Sequence, residues 1–522
     1  MVKVVIIGGG YAGLYASKYL SKLTSKNKIE LTIISKENFH IWHGFIGEML
    51  TGRILPSNIL SPARRIFKNA KIHVGFANNI DLKEKIITAI REIDGKSVQI
   101  PYDKLIYASG SRQSLESFEG LYEHGFSIKT WDDCYNLKNH IIRMFELASI
   151  TEDREERKSM LTFFIAGGGF SGSEIAGEIA DFSRLMCKKE FKNIDRNEIK
   201  VFLAHPSETI LPELFGSRVD ERQTKQFPKL VKYAKSHLEK IGVTIKTSIK
   251  IKMVSKNMVL LSDDSRVPTK TVISAVGTIA QSLTLDCGFP LSKNGKILTD
   301  KTLGVKNIKD VWACGDCALI EHPNGGYVPS TAWWGMMAGK HVAKNIIRIL
   351  KTKNPLNFNK RGFGQAVSIG RRTAVGEIWG IPVKGLIAWL LWRSVLFYYF
   401  PFSDRKLRLI LDWIIWPFFG RDIVEMSLDD TDHFEIRKVK FQPEEYVFTK
   451  GYSSHSKYFI LTGDLSYLIN GKSEFCNNKI ISYENRNLIA NSVVQAIEFK
   501  EEQFDELYAV FGNIAKHKSL SR

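Results

Sequence analysis

One pattern occurs twice in the chain: a short apolar run, a glycine-rich turn and then a stretch with the helical spacing of apolar residues. The first copy covers residues 2–23 and the second covers residues 161–180. Within each turn, the first glycine permits a sharp bend, the second lets the backbone approach a pyrophosphate, and the third lets the helix pack against its strand. Because both copies have the same context, they predict two α/β units with parallel sheets, each able to bind a dinucleotide. The expected phosphate-binding residues are Gly8, Gly10, Tyr11, Ala12 and Gly13 in the first unit and Gly167, Gly169, Phe170, Ser171 and Gly172 in the second.

The residues after the second strand of each unit bear on which dinucleotide binds there. A carboxylate about twenty residues after the glycine turn usually binds the ribose hydroxyls. In the first unit, Lys36 and Glu37 follow this strand, and Glu37 is the nearest candidate. In the second unit, His205 stands where the acid is expected. An imidazole binds the two hydroxyls less firmly than a carboxylate and does not repel a 2′-phosphate, so we expect weak discrimination between NADH and NADPH.

A third signal is a Gly-Asp pair, Gly315-Asp316, at the end of a predicted strand. The order of the two glycine turns, the segments YASG at residues 107–110 and SAVG at residues 274–277, and this pair resembles the two-dinucleotide-binding flavoproteins. The resemblance implies that Asp316 binds the ribityl chain of FAD. It adds three glycines to the expected dinucleotide sites: Gly110, Gly277 and Gly315.

Two cysteines, Cys314 and Cys317, flank the Gly-Asp pair. We expect them to pack in the core, because the residues between them already belong to the predicted FAD turn. A redox or persulfide role is the alternative, since sulfide:quinone reductases require a cysteine pair near the flavin.

Three further stretches resemble the type II NADH dehydrogenases, single-chain enzymes that pass electrons from NADH through FAD to quinone. They are residues 37–65, residues 172–181 and residues 369–413, and the resemblance covers about residues 1–430. It implies a role for Glu174 in positioning or proton delivery. The alternative for Glu174 is a carboxylate in the first turn of a helix, where the helix dipole favours it.

The chain departs from the family pattern at four places. Ser35 stands where the family usually has an aspartate, residues 44–46 read Gly-Phe-Ile where it has Pro-Leu-Leu, and His205 replaces an acid. The helix near residues 335–339 lacks the family's Gln-Gln pair.

Residues 379–425 alternate apolar, aromatic runs with charged residues, and five of them are tryptophans. No window has the roughly eighteen uncharged apolar residues of a spanning helix. Tryptophans suit the headgroup interface, and the excess of 74 Lys and Arg over 55 Asp and Glu suits an anionic surface. The segment therefore predicts a peripheral association with an anionic membrane. The alternative is a helical hairpin buried against the flavin domain.

The end of the chain, residues 431–522, has short alternating runs typical of an all-β fold. It resembles the β-roll of cyclic-nucleotide-binding domains. That family binds phosphate with a Gly-Glu turn and a nearby arginine, and here only Glu484 and Arg486 remain. A structural or assembly role is expected, and ligand sensing is the alternative.

The predicted layout is α/β, with one Rossmann-type domain inserted in the other. The predicted bounds are 1–115 plus 285–355 for the FAD domain, 116–284 for the NAD(P)H domain, 356–430 for the membrane-associating region and 431–522 for the β-roll. The predicted function is that of an FAD-dependent NADH:quinone oxidoreductase. Its predicted location is the cytoplasmic face of the cell membrane, because the N-terminus lacks a secretory pattern. Alternatives are a sulfide:quinone reductase or a membrane-docked flavin sensor. We expect no metal site and no nucleic-acid partner, and a homodimer remains open.

Overall fold

The computed structural model describes residues 1–215, 227–401, 403–425, 437–450, 456–469, 472–484 and 486–500. The chain forms two compact units. The first contains residues 1–114, 211–234 and 277–422, and the second contains residues 115–210, 235–276 and 423–522. The boundary at residue 234 falls within the helix Pro228–Lys240.

The first unit is built on a seven-stranded sheet. In spatial order its strands are Val311–Ala313, Lys104–Tyr107, Val2–Ile7, Ile29–Ser35, Lys71–Asp81, Ile86–Arg91 and Ser97–Pro101. The first five strands in this order pair in parallel. The carboxyl ends of three neighbouring strands therefore meet at one edge, where the first glycine turn, residues 107–110 and the Gly-Asp pair follow them.

Two helices pack against each other over this sheet, Tyr11–Thr24 and Ala332–Ile349. A Cβ on Gly339 would lie 2.0 Å from the Ala12 carbonyl oxygen, so only glycine permits this approach. Apolar side chains from both faces of the strands form one core with the helices, including Ile6, Ile106 and Val342. The other helices of the unit are Ile46–Leu50, Ala63–Ile66, Pro212–Phe215, Ser282–Asp286, Gly385–Tyr399 and Ser403–Phe419. Its small sheets pair Phe39–Ile41 with Leu60–Pro62, Ser111–Gln113 with Thr278–Ala280, Ile297–Leu298 with Ala318–Leu319, and Gly364–Ser368 with Ala374–Ile378 and Ile381–Lys384.

The helices Gly385–Tyr399 and Ser403–Phe419 form what we call the apolar hairpin. Its inner face is fixed by a buried ion pair between Arg393 and Glu48. Trp413 donates its indole N–H to the same carboxylate at 3.2 Å, and the Arg393 guanidinium lies 4.1 Å from the centre of the Trp389 ring. Burial lowers the pKa of Arg393 to about 9, which leaves the guanidinium charged at neutral pH.

The outer face of the apolar hairpin exposes large apolar side chains. These are Leu386, Ile387, Leu390, Leu391, Tyr398, Leu407, Ile410, Leu411, Ile414, Ile415 and Phe418. One face of the hairpin therefore packs on the rest of the first unit, while the other stays uncovered within that unit. In the part of the chain that the structure describes, every helix is too short or too polar to cross a bilayer.

The second unit contains a five-stranded parallel sheet. In spatial order its strands are Gly125–Phe126, Thr271–Ser274, Thr162–Ala166, Lys200–Ala204 and Val243–Lys246. Its helices are Leu121–His124, Trp131–Ile150, Arg154–Met160 and Phe170–Lys189. A three-stranded antiparallel sheet follows, with strands Ile251–Val254, Met258–Leu261 and Arg266–Pro268.

The C-terminal segment of the second unit folds into two four-stranded antiparallel sheets, as expected for an all-β segment. One has the strand order Arg437–Phe441, Val494–Lys500, Ser456–Thr462 and Ile480–Ile481, and the other has Tyr446–Phe448, Asn487–Ala490, Leu465–Ile469 and Lys472–Cys476. The buried Glu445 joins this β-roll to the three-stranded sheet, because its carboxylate accepts hydrogen bonds from the Ser255 hydroxyl at 2.8 Å and the Asn257 amide at 2.7 Å. The two candidate ligand-binding residues, Glu484 and Arg486, are both exposed. These contacts favour a structural role for the β-roll.

Candidate functional site

The first glycine turn has the geometry that a bound pyrophosphate requires. Gly8 has φ +110°, and a Cβ there would lie 2.1 Å from the Ala108 carbonyl oxygen. A Cβ on Gly13 would lie 1.9 Å from the Gly8 carbonyl oxygen, whereas a Cβ on Gly10 would meet nothing within 4 Å. The first and third glycines are thus required by close backbone contacts, and the second faces open space. The helix Tyr11–Thr24 begins there without a side-chain cap, so its first N–H groups suit an anion.

The end of the second strand lies beside this turn. Ser35 is buried, and its hydroxyl donates to the Glu37 carbonyl oxygen at 3.0 Å. A Cβ on Gly9 would lie 2.3 Å from this hydroxyl oxygen. Glu37 is half-buried and Lys36 is exposed. The predicted ribose candidate therefore follows a strand end that contacts the glycine turn.

The sequence did not single out His40 as a site residue, although it also supports this turn. His40 is buried, and its Nδ1–H donates to the Gly9 carbonyl oxygen at 3.0 Å. Burial lowers the pKa of His40 to about 4, so the ring is neutral at physiological pH. The sequence shows a histidine at this position, but its contact with Gly9 depends on the tertiary fold, which brings the strand Phe39–Ile41 back to the glycine turn.

The Gly-Asp pair lies at the same edge of the sheet. Gly315 has φ +83°, and a Cβ there would lie 3.2 Å from the Ala12 Cβ atom. The Asp316 carboxylate accepts a hydrogen bond from the Ser111 hydroxyl at 3.1 Å. The negative charge of Asp316 also contributes to a raised pKa of Tyr11, after the larger effect of burial. The first glycine turn and Asp316 are thus neighbours, an arrangement that fits FAD. Ser111 is a further polar residue here that the sequence did not indicate.

The two cysteines beside Asp316 are buried, free thiols. The Cys317 sulfur lies 3.4 Å from the Cys314 carbonyl oxygen. Burial raises the pKa of Cys317 to about 11 and raises that of Cys314 well above its usual value. Both thiols are therefore protonated at neutral pH, which favours packing over the nucleophilic or redox alternative.

The second glycine turn repeats the backbone of the first. Gly167 has φ +110°, with a Cβ position 2.6 Å from the Ala275 carbonyl oxygen. A Cβ on Gly172 would lie 1.7 Å from the Gly167 carbonyl oxygen. The helix Phe170–Lys189 again begins without a side-chain cap, at Gly169. Gly277, which the sequence also predicts at a dinucleotide site, belongs to the first unit, where its carbonyl accepts the Ser114 N–H at 3.2 Å.

His205 follows the second strand of this sheet, at the predicted position. Its Nδ1 accepts the Gly168 N–H at 3.1 Å, so this nitrogen carries no proton. A Cβ on Gly168 would lie 3.0 Å from the His205 Cβ atom. The imidazole therefore lies against the glycine turn, where an acid is usual.

Glu174 is the fifth residue of the helix Phe170–Lys189, and the first turn of that helix contains no acidic residue. The alternative of a first-turn carboxylate favoured by the dipole is therefore wrong. Burial raises the pKa of Glu174 to about 8, and Glu178 one turn later adds to the shift. Glu174 thus carries a proton at neutral pH and can donate it.

The first unit combines a dinucleotide-binding fold with an aspartate turn. The second unit combines the same fold with a protonated carboxyl on the helix that follows its glycine turn. Together these features define the class of nucleotide-dependent oxidoreductases. The chain belongs to the pyridine nucleotide-disulphide oxidoreductase family, whose model matches residues 2–339. This membership confirms the predicted fold class and the prediction of an oxidoreductase with FAD and a nicotinamide nucleotide as cofactors.

Curated relatives and solved structures agree with this class. The type II NADH:quinone oxidoreductase Ndh of Mycobacterium tuberculosis is 26% identical over 469 residues, which cover 87% of this chain and 96% of the relative. NDH2 from Plasmodium falciparum, solved with NADH, has a TM-score of 0.73 at 17% identity and covers 81% of this chain and 99% of that one. The sulfide:quinone oxidoreductase of Aquifex aeolicus has a TM-score of 0.61 at 16% identity, covering 80% and 96%. At these identities the two structures show the fold alone.

Proposed function

We propose that the protein oxidises NADH and passes two electrons through FAD to a membrane quinone. The curated relative named above, Ndh of Mycobacterium tuberculosis, carries this activity in its name. The observation that supports it most directly is a series of aromatic contacts within the first unit. The centre of the Tyr11 ring, at the glycine turn, lies 5.1 Å from the centre of the Trp42 ring. The centre of the Trp42 ring lies 5.3 Å from that of Phe400, at the end of the first hairpin helix. The series connects the FAD turn with the apolar hairpin, the part of this unit that suits a lipid-soluble acceptor.

Different groups of the first unit would bind different parts of FAD. The N–H groups at the start of the helix Tyr11–Thr24 bind the pyrophosphate, Glu37 binds the ribose, and Asp316 binds the ribityl chain. His40 and Ser111 hold the glycine turn and Asp316 in place. When bound, FAD supplies the chemistry that links a hydride donor to a quinone.

The second unit binds the nicotinamide nucleotide at its glycine turn, beside His205. Glu174 holds a proton at neutral pH, and reduction of a quinone to a quinol consumes two protons. Its role is to position a reactant or to return a proton, as the resemblance to the family implies.

Membrane contact completes the proposal. The outer face of the apolar hairpin exposes Phe418 at 78% and Leu407 at 59%, and a stripe of this kind is typical of a helix lying in a membrane interface. The formal charge of +19 suits an anionic leaflet. We propose a peripheral location at the cytoplasmic face of the cell membrane.

Anaerobic stopped-flow absorbance tests the electron path. NADH should bleach the oxidised flavin, and a water-soluble short-chain benzoquinone should restore its absorbance. Sulfide alone should leave the flavin oxidised. Bleaching by sulfide without bleaching by NADH would support the sulfide:quinone alternative and end this proposal.

Vesicle sedimentation tests the membrane contact. Deleting the hairpin would leave the buried Glu48 without Arg393, so substitutions on the outer face are the cleaner change. The double variant Leu407→Glu and Ile414→Glu should release the protein from vesicles that contain phosphatidylglycerol. Leu461→Glu combined with Val493→Glu, at two exposed apolar residues of the β-roll, adds the same two charges; this matched control should still sediment. Equal sedimentation of the double variant and the unmodified protein would contradict the docking surface.

A further inference from the structure

Three arginines and one aspartate form a cluster where the second helix of the apolar hairpin begins. Arg65 belongs to the short helix Ala63–Ile66, and Arg405 and Arg408 belong to the second hairpin helix. The Asp404 carboxylate lies 3.9 Å from the Arg65 Nη1 atom and 4.0 Å from the Arg405 Nε atom. This arginine cluster, Arg65, Arg405 and Arg408 with Asp404, therefore has more positive than negative charge.

The arginine cluster is not neutralised by the protein around it. The Arg405 side chain is only 15% exposed, yet its Nε and Nη1 atoms have no hydrogen-bond partner among the described residues. Burial lowers the pKa of Arg405, and the positive charge of Arg408 and then, more weakly, that of Arg65 lower it further, while Asp404 opposes them. Desolvated donors beside like charges are stabilised by an anion.

Nearby cations extend this positive region toward the first helix of the unit. Lys406 donates to the Tyr398 carbonyl oxygen at 3.0 Å, and Lys18 of the helix Tyr11–Thr24 contributes to a lowered pKa of Lys406, after the larger effect of burial. Tyr398 and Leu407 beside them are largely exposed. A positively charged region next to exposed apolar side chains matches the boundary between lipid headgroups and acyl chains.

We propose that Arg65, Arg405 and Arg408 bind the phosphate of an anionic lipid headgroup, and that Asp404 competes with the lipid for the same guanidinium groups. A guanidinium binds phosphate through paired N–H donors, which a surface lysine cannot reproduce. The inference rests on the proposed membrane docking of the apolar hairpin. It assigns the preference for an anionic leaflet to one cluster of side chains, where the proposed docking attributes it to the net charge of the whole chain.

The test uses the full-length, FAD-loaded protein and two kinds of vesicle, phosphatidylcholine alone and phosphatidylcholine with phosphatidylglycerol. Arg65→Gln and Arg405→Gln should each weaken binding to the phosphatidylglycerol vesicles about fivefold and leave binding to pure phosphatidylcholine unchanged. Asp404→Asn should strengthen binding to the anionic vesicles, because the competing carboxylate is gone. Lys96→Gln, in the exposed turn between the strands Ile86–Arg91 and Ser97–Pro101, removes the same charge and is the control.

The outcomes separate this inference from the docking itself. If Lys96→Gln weakens anionic binding as much as Arg65→Gln does, the effect is net charge and the arginine cluster is not a site. If Asp404→Asn weakens anionic binding, Asp404 positions the guanidinium groups instead of competing with the lipid, and the proposal is wrong on that point. If the unmodified protein binds neither kind of vesicle, the docking proposal fails and the site fails with it. Arg65 is 68% exposed, so its substitution tests the site without disturbing the fold, and the flavin absorbance spectrum checks this.

Discussion

The two glycine turns have the same backbone and different side chains at the end of the neighbouring strand. Gly8 and Gly167 both have φ +110°, and in both turns the third glycine lies against the carbonyl of the first. Beside the first turn, the Ser35 hydroxyl donates to the Glu37 carbonyl oxygen, two residues later in the chain. Beside the second turn, the His205 Nδ1 atom accepts the N–H of Gly168, within the turn itself. The glycines thus fix the backbone of each turn, and we expect the residues at the strand end to decide which dinucleotide binds.

Substituting the third glycine should break each site separately, and this is the largest effect we expect. Gly13→Ala places a Cβ 1.9 Å from the Gly8 carbonyl oxygen, so it should abolish FAD binding. Gly172→Ala should preserve the yellow, FAD-bound protein and abolish bleaching by NADH. Flavin absorbance after gel filtration and stopped-flow bleaching measure the two losses. Gly10→Ala is the control for folding: it should leave the thermal stability of the FAD-free protein unchanged, because its Cβ meets open space. If Gly172→Ala lost FAD as well, the two turns would not be independent sites.

The next largest expected effect concerns Asp316, which lies at the first glycine turn and has no counterpart at the second. Asp316→Ala should weaken FAD binding by about tenfold to a hundredfold, the value of a hydrogen bond to a charged group. Ser111→Ala should weaken it by less, because the serine only orients the carboxylate. Fluorescence of released flavin during dialysis gives both affinities. Full retention of FAD by Asp316→Ala would remove the assignment.

The carboxyl of Glu174, on the helix Phe170–Lys189 of the second unit, should be visible in pH dependence. The native protein keeps a proton on Glu174 up to about pH 8, whereas the unfolded chain releases it near pH 4.5. The native state therefore binds more protons in this window, and the contribution of Glu174 to stability falls as the pH rises through it. Glu174→Gln should raise the melting temperature at pH 8 relative to the unmodified protein, with a smaller gain toward pH 5. It should also slow quinone reduction and remove the alkaline limb of the rate near pH 8. A limb that persists in Glu174→Gln would belong to another group.

The smallest expected effect is on the choice of nucleotide. NADH and NADPH should bleach the flavin with efficiencies within about tenfold, which is about 1.4 kcal/mol. His205→Glu should favour NADH, because a carboxylate binds the ribose diol and repels a 2′-phosphate. A thousandfold preference for NADH in the unmodified protein, or no effect of the substitution, would mean that another residue recognises the ribose.

The sequence allowed the glycine turns and the Gly-Asp pair to be found because each depends on a local backbone need that few residue types meet. It also indicated the apolar hairpin; the structure packs one face of it on the first unit and exposes the other, and membrane association of the exposed face stays a prediction. The pairing of Glu48 with Arg393 and Trp413 could not be predicted, since the last two of these residues approach Glu48 from far along the chain; Trp413 is 365 residues away. Ser111 and His40 were missed for the same reason.

The order of strands in the first sheet has a consequence for synthesis of the protein. The strand Val311–Ala313 closes one edge, and Arg393 reaches back to a carboxylate near the start of the chain. A nascent chain that has left the ribosome only as far as residue 276 lacks both. Its first glycine turn is then without Asp316, and Glu48 is without its cation. Such long closures are slow to form, so the five-stranded parallel sheet of the second unit, whose strands lie within residues 125–274, can fold first and FAD can be captured only late in translation.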